Sequence, residues 1–142
     1  MPNVRWLLAL ITSVHRFVYR ASGGRLGGQM IGMRVLLLKH VGRKTGLERV
    51  TPLLYIRDGE NWVVVASNAG DDRSPAWWLN LKRNPEVEIQ VERERFAVKA
   101  RQASDAEAER LWSELVRAYR YYEDYRERTA REIPVVVLES VA

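Results

Sequence analysis

The sequence predicts an α+β domain built on a small, mostly antiparallel β-barrel of about six strands, with an N-terminal helix and two inserted helices. Short apolar runs recur from Val35 to Leu138, two pairs of them flank tight-turn signals, and helical spacing appears only outside those pairs. Strand pairs interrupted by helices favour a barrel over a parallel α/β sheet. A chain of 142 residues fits one domain and can enclose a core without staples. Its expected division is a helix and glycine-rich connection over 1–32, then the barrel over 33–142.

Residues 4–20 read as an amphipathic helix, with Val4, Leu7, Leu8, Ile11, Val14 and Val18 near one face and Arg5, Arg16 and Arg20 largely opposite. The apolar stretch from Trp6 to Ile11 is too short to span a bilayer. His15, Arg16 and Arg20 stand where an export signal needs small residues, so export is rejected. A helix packed on the domain and an interfacial helix touching lipid are both open. The segment from Ala21 to Gly32 is glycine-rich and reads as a connection.

Val35–Leu38 has the character of a buried strand. Val50–Arg57 and Asn61–Ala66 flank Asp58-Gly59, a dipeptide that tolerates positive φ and so predicts a hairpin. Pro75 opens a short helix over 76–82, which ends before Asn84-Pro85. Val87, Ile89 and Val91 alternate with polar residues, and Phe96–Ala100 answers them across Arg93-Glu94-Arg95. Ser104-Asp105-Ala106-Glu107 matches a capping box, and Leu111, Leu115, Ala118 and Tyr122 continue it as the longest helix. Val135–Leu138 closes the chain as a buried strand.

Composition excludes several chemistries. Cysteine is absent, so no disulfide, thiolate metal site or cysteine nucleophile exists. His15 and His40 are the two histidines and lie far apart, which argues against a histidine-based zinc site; His40, at a strand end, is expected to reach solvent or an anion. The net charge of +5 is uneven: residues 1–49 carry nine Lys/Arg against one acid, and the remainder fourteen against seventeen. A basic field of this kind suits an acidic small molecule, an anionic membrane or nucleic acid.

The sharpest motif is Gly42-Arg43-Lys44-Thr45-Gly46-Leu47-Glu48-Arg49, where cations surround two glycines after an apolar run. Gly42 and Gly46 permit a tight turn with N–H groups aimed at a ligand, while Arg43, Lys44 and Arg49 offer charge-assisted bonds to phosphate or carboxylate. A solvated hairpin end is the plainer alternative. No helix is expected to follow, so this is not a P-loop. Ser67-Asn68-Ala69-Gly70 would set a hydroxyl at a strand end, without a histidine base beside it. Trp77-Trp78 suit either core packing or the wall of a ring-binding site. Asn80, among apolar neighbours, needs a partner if buried. Tyr119, Tyr122 and Tyr125 recur every three residues and would share a helix face, sealing the barrel rim or lining a pocket.

In order, Gly42–Gly46, Arg49-Val50-Thr51-Pro52-Leu53, Val65-Ala66-Ser67-Asn68, Pro75–Leu81, Asn84-Pro85 and Ile133–Val137 resemble the deazaflavin-dependent nitroreductases, also called F420-dependent quinone and nitro reductases. The resemblance covers about residues 30–140 and implies a split β-barrel that binds coenzyme F420. That coenzyme carries a phosphate and an acidic oligoglutamate tail, a chemical reason for the basic turn. Carried over by motif, the phosphate falls to Arg43, Lys44, Thr45 and Arg49, and Val50, Thr51, Pro52, Leu53 and Leu54 continue that wall. Val65, Ala66, Ser67 and Asn68 would lie against the deazaflavin, and Ala76, Trp77, Trp78, Leu79 and Asn80 would flank it. Tyr122 would face the reacting ring, with Tyr119 and Tyr125 completing the acceptor pocket. Two positions depart from the pattern: Leu54 replaces an expected tyrosine and Asn68 an expected lysine.

The implied reaction is hydride transfer from reduced F420 to a quinone-like or nitroaromatic acceptor, with Ser67 and Tyr122 hydrogen-bonding the acceptor. No metal is needed. The alternative cofactor is FMN in a split-barrel reductase or oxidase; no nucleic-acid partner is expected. The expected location is the cytoplasm, with the inner face of the membrane open through residues 1–20.

Overall fold

A computed structural model describes residues 34–141. The helix read over 4–20, the glycine-rich connection, His15 and the boundary near 33 lie outside the described residues. Six strands form: β1 (Arg34–Val41), β2 (Glu48–Asp58), β3 (Asn61–Val65), β4 (Glu86–Val91), β5 (Glu94–Gln102) and β6 (Val135–Ser140). They close into a barrel in the order β1-β2-β3-β6-β5-β4, every neighbouring pair antiparallel. Three helices punctuate it: α1 (Ala76–Arg83), α2 (Asp105–Ala118) and α3 (Tyr121–Arg128).

Alternation along the strands sorts side chains between two cores. Leu36, Leu38, Trp62, Val64, Ile89, Val98, Val136 and Leu138 fill the barrel, and Trp77, Trp78 and Leu81 of α1 join them. The opposite parity of β3 and β6 (Val63, Val65, Val135 and Val137) packs outward against Leu111, Leu115 and Tyr122. This two-sided cover explains why Val135–Leu138 is buried without a break.

Three local expectations need correction. The long C-terminal helix is two helices, because Tyr119 leaves helical geometry at φ −150°, ψ 94° and ends α2, whose capping box at Ser104 and Glu107 does form. The second hairpin turns in two residues, since Val91 pairs with Glu94; Glu92 takes the left-handed φ of 56° that so short a connection demands. His40 does not reach solvent: it is 3% exposed, because it continues the inward parity of Leu36 and Leu38.

Candidate active site

The strand directions bring the singled-out motifs to one end of the barrel. Val41 pairs with Glu48, Lys39 with Glu88, Gln102 with Val136 and Val65 with Val135. The ends of β1, β3 and β5 and the beginnings of β2, β4 and β6 therefore share this end, and the aromatic residues of α1 pack into the barrel there.

The basic turn joins β1 to β2. Gly42 is needed because a Cβ there would come within 2.6 Å of Thr45 Oγ1, and Gly46 because its φ is +72°. Both ends of the turn's backbone are bonded internally: Gly42 N–H donates to Leu47 O, Gly46 N–H to Gly42 O and Leu47 N–H to Thr45 Oγ1. Arg43 N–H donates to Asn80 Oδ1 at 3.0 Å. Of the N–H groups expected to face a ligand, these four are taken up within the protein, and those of Lys44 and Thr45 at the tip have no partner among the described residues. The side chains of Lys44, Thr45 and Arg49 beside that tip are all exposed. Among the described residues neither Lys44 nor Arg49 is in an ion pair, whereas Lys39 and Glu48 beneath them are paired at 3.4 Å. Such a set fits a phosphate or polycarboxylate, with Arg43 half-buried behind it.

Arg43 belongs to a chain of polar contacts entering the core. Its Nη1 also donates to Asn80 Oδ1, Asn80 Nδ2 meets His40 Nδ1 at 3.0 Å, and His40 Nε2 meets Thr51 Oγ1 at 2.8 Å. Asn80 thereby finds the partners its burial requires. Its side chain is committed to Arg43 and His40.

Beyond the turn, β2 is half a partnered strand. It pairs with β1 throughout Glu48–Tyr55, but with β3 only over Ile56–Asp58. Among the described residues, Glu48–Tyr55 has a sheet partner on one edge alone. Val50, Thr51, Pro52, Leu53 and Leu54 lie on that stretch and are all half-buried. The open edge runs between the basic turn and the chain that leaves β3.

Ser67, Asn68, Ala69 and Gly70 form a short 3-10 turn after β3. Asn68, Ala69 and Gly70 all have positive φ (47°, 54° and 80°), and two of them are not glycine. Such geometry persists only where the surroundings impose it. Arg131 supplies one constraint, donating from Nη2 to Ser67 O at 2.9 Å and from Nε to Asp71 O at 2.8 Å. Helix α3 supplies the other: a Cβ on Gly70 would lie 3.0 Å from Tyr125 O. Ser67 is buried, and its hydroxyl makes no capping bond in this turn.

The tyrosines gather despite the helix break. Tyr119 and Tyr122 rings lie 5.0 Å apart, Tyr122 and Tyr125 6.4 Å, and the Tyr119 and Tyr125 hydroxyls meet at 3.0 Å. Burial pushes the Tyr122 and Tyr119 phenols up, so both remain protonated at neutral pH. Tyr122 packs on the outward face of β3 and β6, in the core outside the barrel. Trp77 and Trp78 are buried in the barrel core; Ala76 is exposed and Leu79 half-buried on the same helix.

At this end the sequence reading named His40 but missed its burial, and it missed Arg131 altogether. His40 was signalled by the alternation of Leu36 and Leu38, which reaches it two residues later. Arg131 carried no signal, because its carbonyl partners Ala66, Ser67 and Asp71 lie about sixty residues upstream.

Comparison with known proteins converges on one group. Residues 12–140 match the profile of the family described as F420H(2)-dependent quinone reductase. An F420H(2)-dependent quinone reductase of Mycobacterium tuberculosis (strain ATCC 25618 / H37Rv) is 45% identical over 147 residues, covering 97% of this chain and 98% of that protein. The solved structure of an F420-H2 dependent reductase (FDR-A) superposes with a TM-score of 0.69 at 34% identity, over 75% of this chain and 94% of that one. A FAD-binding protein of Mesorhizobium loti, 15% identical with a TM-score of 0.56 over 77% of this chain and 80% of its own, shares the fold alone.

Proposed function

Because the chain belongs to the F420H(2)-dependent quinone reductase family, we propose that it binds coenzyme F420 along the open edge of β2 and reduces a quinone there. It is an F420-dependent oxidoreductase. The observation that carries the siting is the stretch Glu48–Tyr55, which among the described residues has a sheet partner on one edge alone and begins at the exposed cations, at the barrel end that also holds the strained turn after β3.

When bound, reduced F420 supplies a hydride for the acceptor. Lys44, Arg49 and Arg43 bind the phosphate and the acidic tail, and Thr45 can donate its hydroxyl to the same oxygens. Val50–Leu54 and Val65–Asn68 form the two sides on which the ring system rests, with Ala76 and Leu79 the α1 residues least committed to the core. Holding two rings in reacting register is most of what such a site must do. The Ser67 hydroxyl and the neutral Tyr122 phenol are the donors assigned to the acceptor oxygen as negative charge develops. Tyr119 and Tyr125 hold each other through their hydroxyls and fix the wall beside Tyr122.

The same donors suit a nitroaromatic acceptor, whose oxygens also gain charge on reduction. Residues 1–20 would rest on the inner face of the cell membrane, where lipid-soluble quinones are available, and the barrel would face the cytoplasm. No helix of the described residues is long and apolar enough to cross a membrane. The test is a fluorescence titration with oxidised F420, with FMN as control, followed by turnover of menadione with the reduced coenzyme. Binding of FMN in preference to F420 would overturn the reading.

A further inference from the structure

His40 is a buried titratable group that neither the coenzyme nor the acceptor chemistry uses, and the polarity of its contacts can be read from one fixed point. A backbone N–H only donates, so the Asn80 atom facing Arg43 N–H must be the carboxamide oxygen. Arg43 Nη1, also a donor, faces the same oxygen. Asn80 therefore turns its NH2 to His40 Nδ1, which must accept, and the imidazole proton then resides on Nε2 and is donated to Thr51 Oγ1. Only one tautomer and one amide orientation satisfy all four contacts.

We infer that His40 is a positioning residue for the coenzyme-binding turn: by accepting from Asn80 it holds the carboxamide in the orientation that clamps Arg43. The inference rests on the reading that this turn binds an anionic coenzyme. Without an acceptor at His40 the carboxamide is free to rotate, its NH2 meets the Arg43 N–H, and two donors oppose each other in a buried place. Arg43 then loses its anchor, and the turn carrying Lys44 loses its fixed distance from α1.

The whole chain is used for every measurement. In the wild type, imidazole 15N shifts should show His40 protonated on Nε2 and bare on Nδ1; a proton on Nδ1 overturns the inference without any variant. Asn80→Asp accepts from Arg43 but cannot donate, so it should move a proton onto His40 Nδ1, and an unchanged tautomer overturns the coupling. In coenzyme-free protein, His40→Leu should speed exchange of the Arg43 amide by about tenfold while leaving the Val64 amide unchanged. His40→Asn, whose side-chain oxygen can replace Nδ1 as acceptor, should restore it. In titrations with oxidised F420, His40→Leu should bind about tenfold more weakly, with no further loss on adding Asn80→Leu. Unchanged Arg43 exchange and unchanged affinity in His40→Leu overturn the inference. A wild type that does not bind F420, with Arg43 still responding to His40→Leu, rejects the coenzyme reading and keeps the hold of His40 on the turn.

Discussion

On one side of the β2 edge, the turn of residues 42–47 is fastened by hydrogen bonds and leaves its working cations in solvent. On the other, the turn of residues 67–70 is fastened by Arg131 and by steric contact with α3, and its backbone is strained. On the proposed function, the first arrangement separates holding from binding: Asn80 and His40 would hold, Lys44 and Arg49 would bind. In the second the same segment would do both, since Ser67 lies in the turn that Gly70 and Arg131 shape. Substitutions on the cation side should therefore cost affinity with little stability, and those on the tyrosine side should cost stability first.

The largest effect tests the second half of that contrast. Gly70→Ala places a Cβ within 3.1 Å of Tyr125 and Arg128 atoms at a φ of +80°, with no flexible side-chain end to yield on the Tyr125 backbone. Left-handed strain and overpacking together should cost roughly 2–4 kcal/mol and lower the Tm by about 10 °C or more. A melting curve matching the wild type would show that α3 does not bear on this turn.

Lys44→Ala is the counterpart on the cation side. It should weaken F420 binding by about 1.5–3 kcal/mol, one to two decades in Kd, and make the remaining affinity less sensitive to salt. Its exposed position predicts a stability within about 0.5 kcal/mol of the wild type. Calorimetry showing unchanged affinity in both Lys44→Ala and Arg49→Ala would remove the phosphate from this turn.

Tyr122→Phe probes the acceptor rather than the coenzyme. Loss of the hydroxyl alone should slow menadione reduction by about 10- to 100-fold, about 1.4–2.7 kcal/mol at the barrier, and leave F420 affinity nearly constant. Because Tyr122 is packed against Trp112 and the outward face of β3, the ring must stay; Tyr122→Ala would confuse catalysis with collapse. A wild-type rate would exclude the phenol from the reaction with that acceptor.

How much of this was legible follows from the range over which each feature is encoded. The strands and the capping box are written in local alternation and spacing, and they formed where the pattern put them except at the second hairpin, where Glu94 and Arg95 join β5. The basic turn was legible as charge and glycine, but the destination of Arg43 N–H was not, because Asn80 lies 37 residues away. The tyrosine spacing suggested one continuous helix because a period of three cannot reveal a break at Tyr119. The open edge of β2 was illegible for a different reason: the β2–β3 ladder stops at Ile56–Val63, and Val64 and Val65 go on to pair with β6 alone, a divergence of two strands that no local pattern encodes.

The smallest effect separates the two sides by pH. His40 is held below its ordinary value of 6.5, by burial first and then by Arg49, its partner across the β1–β2 ladder; Arg43 is the other cation on this side, reaching His40 through Asn80. The unfolded chain then binds a proton that the folded one refuses, so this contribution is complete above pH 6.5 and is lost as pH falls through the folded value. Tyr119 and Tyr122 are held above their ordinary value of 10.0, chiefly by burial. The unfolded chain releases protons there that the folded one keeps, so that contribution is complete below pH 10 and is lost as pH rises. Stability of the wild type should thus decline at both ends, with His40→Asn flattening only the acid limb and Tyr122→Phe only the alkaline one. Denaturant midpoints measured from pH 5 to 11 would check this, and an acid limb that His40→Asn leaves unchanged would mean that His40 is not what the cation side loses on acidification.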